Sequence, residues 1–282
     1  MNRSCNPELY VKPDVTSDPW AHCGASAPDA GPGLAPGTAS TQIRRCDDSR
    51  ITLAADCAGL GSAVEAAASM CPDLDVRFIS ELDTDTRSHF LDNVAPTLKG
   101  GVKKVTSDMT KRQKQDEEHV DIYISGFPCQ PFSTLGARKG EQDPRGCIMH
   151  SVVNTIRRNL PSIFILENVV GFTKHNDGKT FNSLVRKLSQ IKDGNKKAYH
   201  IEHSVLNSVD FGLPQSRRRV FIIGIASALQ RRPFEWPLKL PTVSLSTILD
   251  PADASHDLDA LPEGNVAQAN AAHYLKELRK RG

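Results

Sequence analysis

One cysteine in this sequence stands where a nucleophile would be placed. Residues Asp121–Ile124 have the pattern of a short apolar strand, and the segment Ser125-Gly-Phe-Pro-Cys-Gln-Pro-Phe-Ser133 follows directly. The glycine and the prolines of that segment end the strand in a stiff turn, because proline fixes its own φ and restricts the residue before it. Cys129 is therefore predicted at the carboxyl end of a strand, where open α/β sheets usually carry their chemistry. Considered alone, Cys129 also fits a buried structural cysteine in an ordinary loop.

A carboxylate at the end of another strand is the candidate partner of that thiol. Glu167 ends the apolar run Ile163–Glu167 and begins Glu167-Asn-Val169. Adjacent strands lie about 4.8 Å apart, so Cys129 and Glu167 would face one pocket if their strands were neighbours. A thiolate can attack an electrophilic carbon while a carboxyl group of raised pKa donates a proton. By itself, Glu167 also fits a purely structural role.

A basic segment, Gln215-Ser-Arg-Arg-Arg-Val-Phe221, follows later in the chain. In an extended stretch, alternation would place Gln215, Arg217 and Arg219 on one side. Two guanidinium groups there could bind backbone phosphate or position Glu167. A solvated basic edge is the alternative interpretation.

Three more stretches suit a nucleotide-like cofactor. Gly59 and Gly61, between a strand and a helix, allow a sharp turn that directs helix N–H groups at a ligand. Glu81 follows that turn by about 20 residues, a spacing that suits a pair of ribose hydroxyls. Asp108 stands at the end of the third strand. An empty tight turn, an exposed helix-capping glutamate and a plain aspartate N-cap are the simpler interpretations of the three.

Taken in order, these motifs resemble those of the DNA cytosine-5 methyltransferases. The resemblance rests on the Pro-Cys-Gln loop around Cys129, on Glu167-Asn-Val169 and on the Gln-x-Arg-x-Arg pattern from Gln215 to Arg219. Asp143-Pro-Arg-Gly146 also fits the helix start that follows the nucleophile loop in that family. The resemblance covers about residues 51–249.

The resemblance implies a substrate, a cofactor and a mechanism. The cofactor would be S-adenosylmethionine, and the partner would be duplex DNA with a cytosine flipped out of the helix. Cys129 would add at C6 so that C5 becomes nucleophilic, and Glu167 would relieve the charge at N3. Arg217 and Arg219 would complete the catalytic group. The cofactor contacts would come from the ends of the first three strands: Cys57, Gly59, Leu60, Gly61, Glu81, Asp108 and Met109. By resemblance, Asp108 would accept from the adenine amino group and Met109 would pack on the ring. Cys57 departs from the family, which usually has an aromatic residue at that position.

Strand and helix patterns alternate along the chain and predict an α/β fold. The predicted strands are Ile51–Ala55, Val76–Ser80, Val102–Val105, Asp121–Ser125, Ile163–Glu167, His200–Leu206 and Arg219–Ile225. The predicted helices are Ser62–Met70, Thr84–Asn93, Arg145–Arg158 and Phe181–Ile191, with a helical turn at Ser246–Leu249. Seven strands that end in a close pair resemble the Rossmann-like sheet of S-adenosylmethionine-dependent methyltransferases. That sheet is mostly parallel, has helices on both faces, and has an antiparallel last strand.

Composition sets broad limits on the chain. With 39% hydrophobic and 24% charged residues, its 282 residues suit a soluble globular protein. No apolar run is long enough to span a membrane, and the N-terminus lacks a signal-peptide pattern. The seven cysteines include no C-x-x-C pair, which indicates neither zinc nor a redox pair and favours an intracellular location. That location would be the nucleus in a eukaryote and the cytoplasm otherwise. The net charge of +2 does not by itself indicate a nucleic-acid partner.

Three regions are predicted. Residues 1–48 are rich in glycine and proline and are expected to be a disordered arm, whereas residues 49–249 would form the catalytic domain. Residues 250–282 would be a loose segment with an amphipathic helix at Ala267–Arg281. The residues after Ile225 are too few for the family's target-recognition region and last motifs, so a partner protein or a missing segment would supply recognition.

Two other functions remain open at this point. One is the RNA-acting branch of the family, which modifies transfer RNA. Its nucleophile loop continues Phe-Thr-Arg, whereas this chain continues Phe132-Ser-Thr-Leu135, which favours DNA. The other is a non-catalytic relative that binds cofactor or DNA. The presence of Cys129, Glu167 and the arginine segment argues against simple decay.

Overall fold

A seven-stranded sheet organises the described part of the chain. The structure, a computed structural model, describes residues 50–112, 118–128 and 147–247. The strands of the sheet are β1 Thr52–Asp56, β2 Asp75–Ser80, β3 Val102–Thr106, β4 Ile122–Ser125, β5 Ile163–Val169, β6 Tyr199–Asn207 and β7 Arg218–Ala226. Their order is β3-β2-β1-β4-β5-β7-β6, and only β7 runs antiparallel to its neighbours. The predicted mostly parallel sheet, with an antiparallel last strand, is confirmed.

Burial explains why these segments form strands. All five residues of β1 are buried, as expected for a central strand of a parallel sheet that is covered on both faces. On β1, Leu53 and Ala55 belong to one core cluster, while Ala54 between them belongs to the other. The period of two along the strand therefore divides its side chains between two hydrophobic cores, one on each face of the sheet.

Helices cover both faces. Helix α1 (Ser62–Met70) packs Val64 into the core of β1 and β2, and helix α2 (Thr84–His89) leads into Phe90, which belongs to the same core. The other face is covered by α3 (Cys147–Asn159) and α5 (Lys179–Ser189), with the single turn α4 (Gly171–Lys174) before α5. On α5, Phe181, Leu184 and Leu188 are buried, which is the spacing of one helical face.

The order of the strands creates a switch point between β1 and β4. From β1 the chain moves outward through β2 to β3, and it then returns to β4 on the other side of β1. The carboxyl ends of β1 and β4 lie side by side, with Asp56 paired to Ser125. In open α/β sheets a crevice opens outside the strands at such a point, and ligands bind there.

The predicted helix Thr84–Asn93 is shorter in the structure. The α-helix ends at His89, a wider π turn spans Phe90–Val94, and a 3₁₀ turn at Ala95–Thr97 contains Pro96. Phe90 is fully buried, and Pro96 has no N–H with which to continue a regular helix. The wider turn therefore places Phe90 in the core just before the chain must leave the helix.

The remaining predicted elements agree with the structure to within a few residues where they can be compared. Helix α1 has the predicted bounds, and the predicted turn near Ser246 is a 3₁₀ turn at Leu245–Thr247. Helix α4 and a short antiparallel pair at Lys192–Asp193 and Lys196–Lys197 were not predicted. The N-terminal arm, the Asp143–Gly146 segment and the helix at Ala267–Arg281 lie outside the described residues. No helix among the described residues is long and apolar enough to cross a membrane.

The substitution Gly224→Ala, which adds one methyl group, tests the packing between β5 and β7. At Gly224 of β7, a Cβ atom would stand 2.1 Å from the ring of the fully buried Phe164 on β5. We expect Gly224→Ala to lower the free energy of unfolding by about 1–3 kcal/mol, since the ring and strand must shift. The exposed Gly100 is the control, because a Cβ there would make an ordinary contact at 3.5 Å. Urea unfolding of the two variants measures the difference, and equal stabilities would contradict this packing.

Candidate active site

The turn after β1 is the first part of the candidate site. Cys57, Gly59 and Gly61 all have positive φ, at 53°, 58° and 98°. Gly61 begins α1, and a Cβ there would stand 2.5 Å from the ring of Phe90, so only glycine fits. At Gly59 no atom lies within 4 Å of the position of a Cβ, so the backbone is open to a ligand.

Glu81, directly after β2, is connected to this turn. Its Oε2 accepts a hydrogen bond from the Gly59 N–H at 2.9 Å, and its Oε1 accepts one from the Asp83 N–H at 3.0 Å. The backbone carbonyl of Glu81 accepts a further bond from Arg87 at 2.7 Å. The carboxylate is therefore oriented on the open turn, while Asp83, and not Glu81, caps α2.

Asp108 and Met109, after β3, reach the same region. Met109 is buried, and its sulfur lies 4.0 Å from that of Cys57, so two predicted cofactor residues meet. Asp108 caps the 3₁₀ turn Met109–Lys111, and hydrogen bonds from Thr110 hold the pKa of Asp108 below its usual value. The simpler aspartate N-cap interpretation therefore describes Asp108 correctly as far as the protein's own contacts go.

The thiol of Cys57 is protected from ionisation. Burial, together with the nearby carboxylates of Asp56 and Glu81, raises the pKa of Cys57 to about 12. The thiolate is the nucleophilic form of cysteine, so the raised pKa makes Cys57 a poor nucleophile near neutral pH.

The start of the predicted nucleophile loop is described up to Pro128, and Cys129 itself lies outside the described residues. Phe127 is buried and packs edge-on against Phe172 at 5.5 Å between ring centroids. The buried Asn168 side chain donates to the Phe127 carbonyl at 3.2 Å. The Asn of the Glu-Asn-Val motif thus fixes the backbone two residues before Cys129, a role that the sequence analysis did not assign.

Glu167, the predicted partner of Cys129, lies beside the residue that follows β4. Strands β4 and β5 are neighbours, and a Cβ at Gly126 would stand 3.7 Å from Oε2 of Glu167 and 3.7 Å from the Cys57 carbonyl oxygen. The other carboxylate oxygen, Oε1, receives the Arg219 guanidinium at 2.9 Å. The ends of β1, β4 and β5 therefore meet around this carboxylate.

The basic segment is only partly as predicted. Arg219 lies in β7 and turns toward Glu167, whereas Arg217 is exposed in the link before the strand. The strand begins at Arg218, and Gln215 lies in a turn beside Ser208, whose hydroxyl bonds the Gln215 carbonyl. Only Arg219 lies within the strand, so the prediction that Gln215, Arg217 and Arg219 share one side of an extended stretch stays a prediction.

A buried charge pair behind the site was not predicted. The two Arg112 nitrogens donate to the two Asp56 oxygens at 2.6 and 2.7 Å, and neither side chain is exposed. The hydroxyls of Ser80 and Tyr123 donate to the same carboxylate at 2.7 Å each. A carboxylate that ends a fully buried strand was a signal that a cation lies nearby, since unpaired buried charges are rare. The sequence did not show which cation it would be.

Comparison with known proteins identifies a family. Residues 49–280 match the family of C-5 cytosine-specific DNA methylases. The type II methyltransferase M.HaeII of Haemophilus aegyptius is 38% identical over 151 residues, which are 53% of this chain and 45% of that protein. M.AquIA of Picosynechococcus is 37% identical over 132 residues, or 46% of this chain and 53% of that protein. The chain therefore spans about half the length of the curated relatives it matches.

Two solved structures share the fold. A DNMT2 from Spodoptera frugiperda superposes with a TM-score of 0.51 at 19% identity, over 76% of this chain and 60% of that one. The Entamoeba histolytica methyltransferase EhMeth gives a TM-score of 0.51 at 18% identity, over 73% of this chain and 62% of that one. At these identities the likeness supports the Rossmann-like methyltransferase fold alone.

The family match covers residues 49–280, which is most of the chain. It shows that this protein belongs to the C-5 cytosine-specific DNA methylase family.

Proposed function

We propose that this chain is the catalytic part of a DNA cytosine-5 methyltransferase, with residues 49–249 as its catalytic domain. The placement of Glu167 carries the proposal. Its carboxylate is held by Arg219 and lies beside Gly126, three residues before Cys129. The same glycine adjoins the turn that begins at Cys57. The residues that lead into the predicted thiol loop, an oriented carboxylate and an open glycine turn thus lie at neighbouring strand ends, which supports the proposal.

In this proposal Cys129 is the nucleophile and Glu167 the acid. The Cys129 thiolate forms a bond to C6 of a flipped cytosine, which places an electron pair on C5. Glu167 donates a proton to N3, so that negative charge does not accumulate on the ring. Once C5 carries the methyl group, a solvent water takes the C5 proton, and the electrons of that C–H bond form the C5–C6 double bond as the C6–S bond breaks and frees the Cys129 thiolate. The N3 proton returns to Glu167, which restores the neutral aromatic ring. Arg219 orients Glu167, and the exposed Arg217 is available to a DNA phosphate.

The ends of β1 to β3 fit S-adenosylmethionine as the cofactor. The backbone at Gly59 is open, and the side chains of Leu60 and Leu82 are 54% and 67% exposed, which offers apolar surface to a ring. Leu82 was not singled out in the sequence analysis. Glu81 keeps lone pairs for ribose hydroxyls, and Oδ2 of Asp108, whose partner is Lys111 at 3.5 Å, can accept from an amino group. When bound, the cofactor supplies the activated methyl group.

Covalent trapping tests the nucleophile. A duplex that carries 5-fluorocytosine should form a stable adduct with the chain when cofactor is present, because fluorine blocks the last elimination. Cys129→Ser should form none, and Cys71→Ser, which changes a cysteine at the end of α1, should form it at the wild-type rate. Adducts are measured by denaturing gel and located by mass spectrometry.

Two outcomes would overturn parts of this proposal. An adduct with Cys129→Ser would show that another group is the nucleophile. Transfer of labelled methyl groups to transfer RNA but not to duplex DNA would show that the chain belongs to the RNA-acting branch.

Alkylation kinetics test the protected state of Cys57. With a pKa of about 12, only about one thiol in ten thousand is ionised at pH 8, so native Cys57 should react very slowly with iodoacetamide. The same residue in urea-unfolded chain should react at an ordinary thiol rate. Peptide mass spectrometry gives both rates, and equal rates would show that Cys57 is not buried as described.

Cofactor affinity tests Glu81. We expect Glu81→Ala to weaken binding of S-adenosylmethionine by about 1–3 kcal/mol, because it removes charge-assisted hydrogen bonds and frees the Gly59 amide. Glu202→Ala is the matched control, since Glu202 is an exposed carboxylate on the edge strand β6. Isothermal calorimetry measures both variants, and unchanged affinity in Glu81→Ala would place the ribose elsewhere.

A further inference from the structure

The buried Asp56–Arg112 pair and the two hydroxyl groups bound to it come from four separate parts of the chain. Asp56 ends β1, Ser80 ends β2, Arg112 follows the 3₁₀ turn after β3, and Tyr123 lies in β4. The Asp56 carboxylate accepts bonds from the other three at 2.6–2.7 Å. Every one of these four residues is at most 9% exposed.

The guanidinium of Arg112 is held from several sides. Besides its two bonds to Asp56, it donates to the Thr155 hydroxyl of α3 at 3.4 Å and lies 4.4 Å from the centroid of the Phe78 ring. A guanidinium with two parallel bonds to one carboxylate has a fixed plane and distance. The group therefore acts as a rigid spacer between β1, β2, the turn after β3 and helix α3.

Stability alone does not account for such a pair. Taking two charges out of water is costly, and well-packed apolar side chains of similar volume often stabilise a core as well or better. The position of a buried ion pair can therefore point to a role other than stabilising the fold. Here the pair lies directly behind the residues proposed to hold the cofactor.

The residues next to the pair in the sequence are residues of the proposed cofactor site. Asp56 immediately precedes Cys57, the first residue of the glycine turn, and Ser80 immediately precedes Glu81. Arg112 is the C-cap of the 3₁₀ turn that begins at Met109. A shift of the pair would therefore displace the glycine turn, the Glu81 carboxylate and Met109 relative to each other.

We propose that Asp56 and Arg112 are positioning residues that set the spacing of the three cofactor-binding segments. This inference rests on the proposed function, because it takes the ends of β1, β2 and β3 as the cofactor site. Neither side chain touches the cofactor in this proposal. Each acts through the segment that it fixes, and the phenol of Tyr123 donates a further hydrogen bond to the same carboxylate at 2.7 Å.

Conservative variants of the 282-residue chain separate positioning from simple stabilisation. Arg112→Lys keeps the charge but cannot form the two parallel bonds, and Tyr123→Phe removes one hydrogen bond while keeping the ring. Arg77→Lys is the control, since Arg77 pairs with Asp75 and Glu118 in the first half of β2, away from the carboxyl ends. Calorimetry gives the affinity for S-adenosylmethionine, and thermal unfolding gives the stability. Hydrogen exchange of residues 57–61 and 80–83 gives the local order without relying on activity.

We expect the affinity of the variants for S-adenosylmethionine to fall in a way that does not track their thermal stability. Arg112→Lys should weaken cofactor binding about tenfold or more and speed exchange in both segments, and Tyr123→Phe should weaken binding about threefold. Arg77→Lys should leave affinity and exchange unchanged, whatever its unfolding temperature. Normal affinity in a folded Arg112→Lys variant would overturn this inference alone. Should Arg112→Lys fail to fold, normal affinity in Tyr123→Phe would overturn it equally. A wild-type chain that binds no cofactor would overturn the proposed function and this inference with it.

Discussion

Where β1 ends, the Asp56 carboxylate accepts two charge-assisted hydrogen bonds from Arg112, and neither side chain is exposed to solvent. Breaking a buried pair of this kind by removing one partner typically costs about 3–5 kcal/mol, because the remaining charge has no compensation. Hydroxyls from β2 and β4 complete the shell around the carboxylate. The carboxyl ends of β1 and β2 are therefore joined to each other and to β4 at one point, and the turns that leave β1 and β2 begin from this fixed point.

The reversed strand β7 has a complementary role. It lies between β5 and β6 and runs antiparallel to both, so its amino end reaches the edge where β5 ends. This arrangement brings Arg219 to Glu167, although the two residues are far apart in the chain. Both side chains are partly exposed, at 22% and 30%, so the pair adds at most about 1 kcal/mol to stability. The pair holds a carboxylate that lies near Gly126, at the start of the predicted nucleophile loop.

Glycine and proline signals, together with apolar periodicity, made most of the fold predictable. Helix α1 has the predicted bounds because a left-handed glycine, Gly61, marks its start and a clear helical pattern follows. The structure differs in detail from the predicted elements where burial or strand pairing decides the local geometry. The helix after Glu81 changes its pitch so that Phe90 can be buried, and Gln215 lies in a turn because the strand begins only at Arg218. Neither demand is visible from the residues on either side.

The sequence by itself determined which chemical groups stand at the strand ends, because such groups follow local patterns: Glu81 after β2, Asp108 after β3 and Glu167 in β5. Only the tertiary structure decided which of these groups meet and what holds them. Arg112 binds Asp56, which is 56 residues away in the sequence, and Asn168 donates to the carbonyl of Phe127, which is 41 residues away. Such partners depend on the order of strands in the sheet. That order is set by long-range packing and burial on both faces, which no short stretch of sequence encodes.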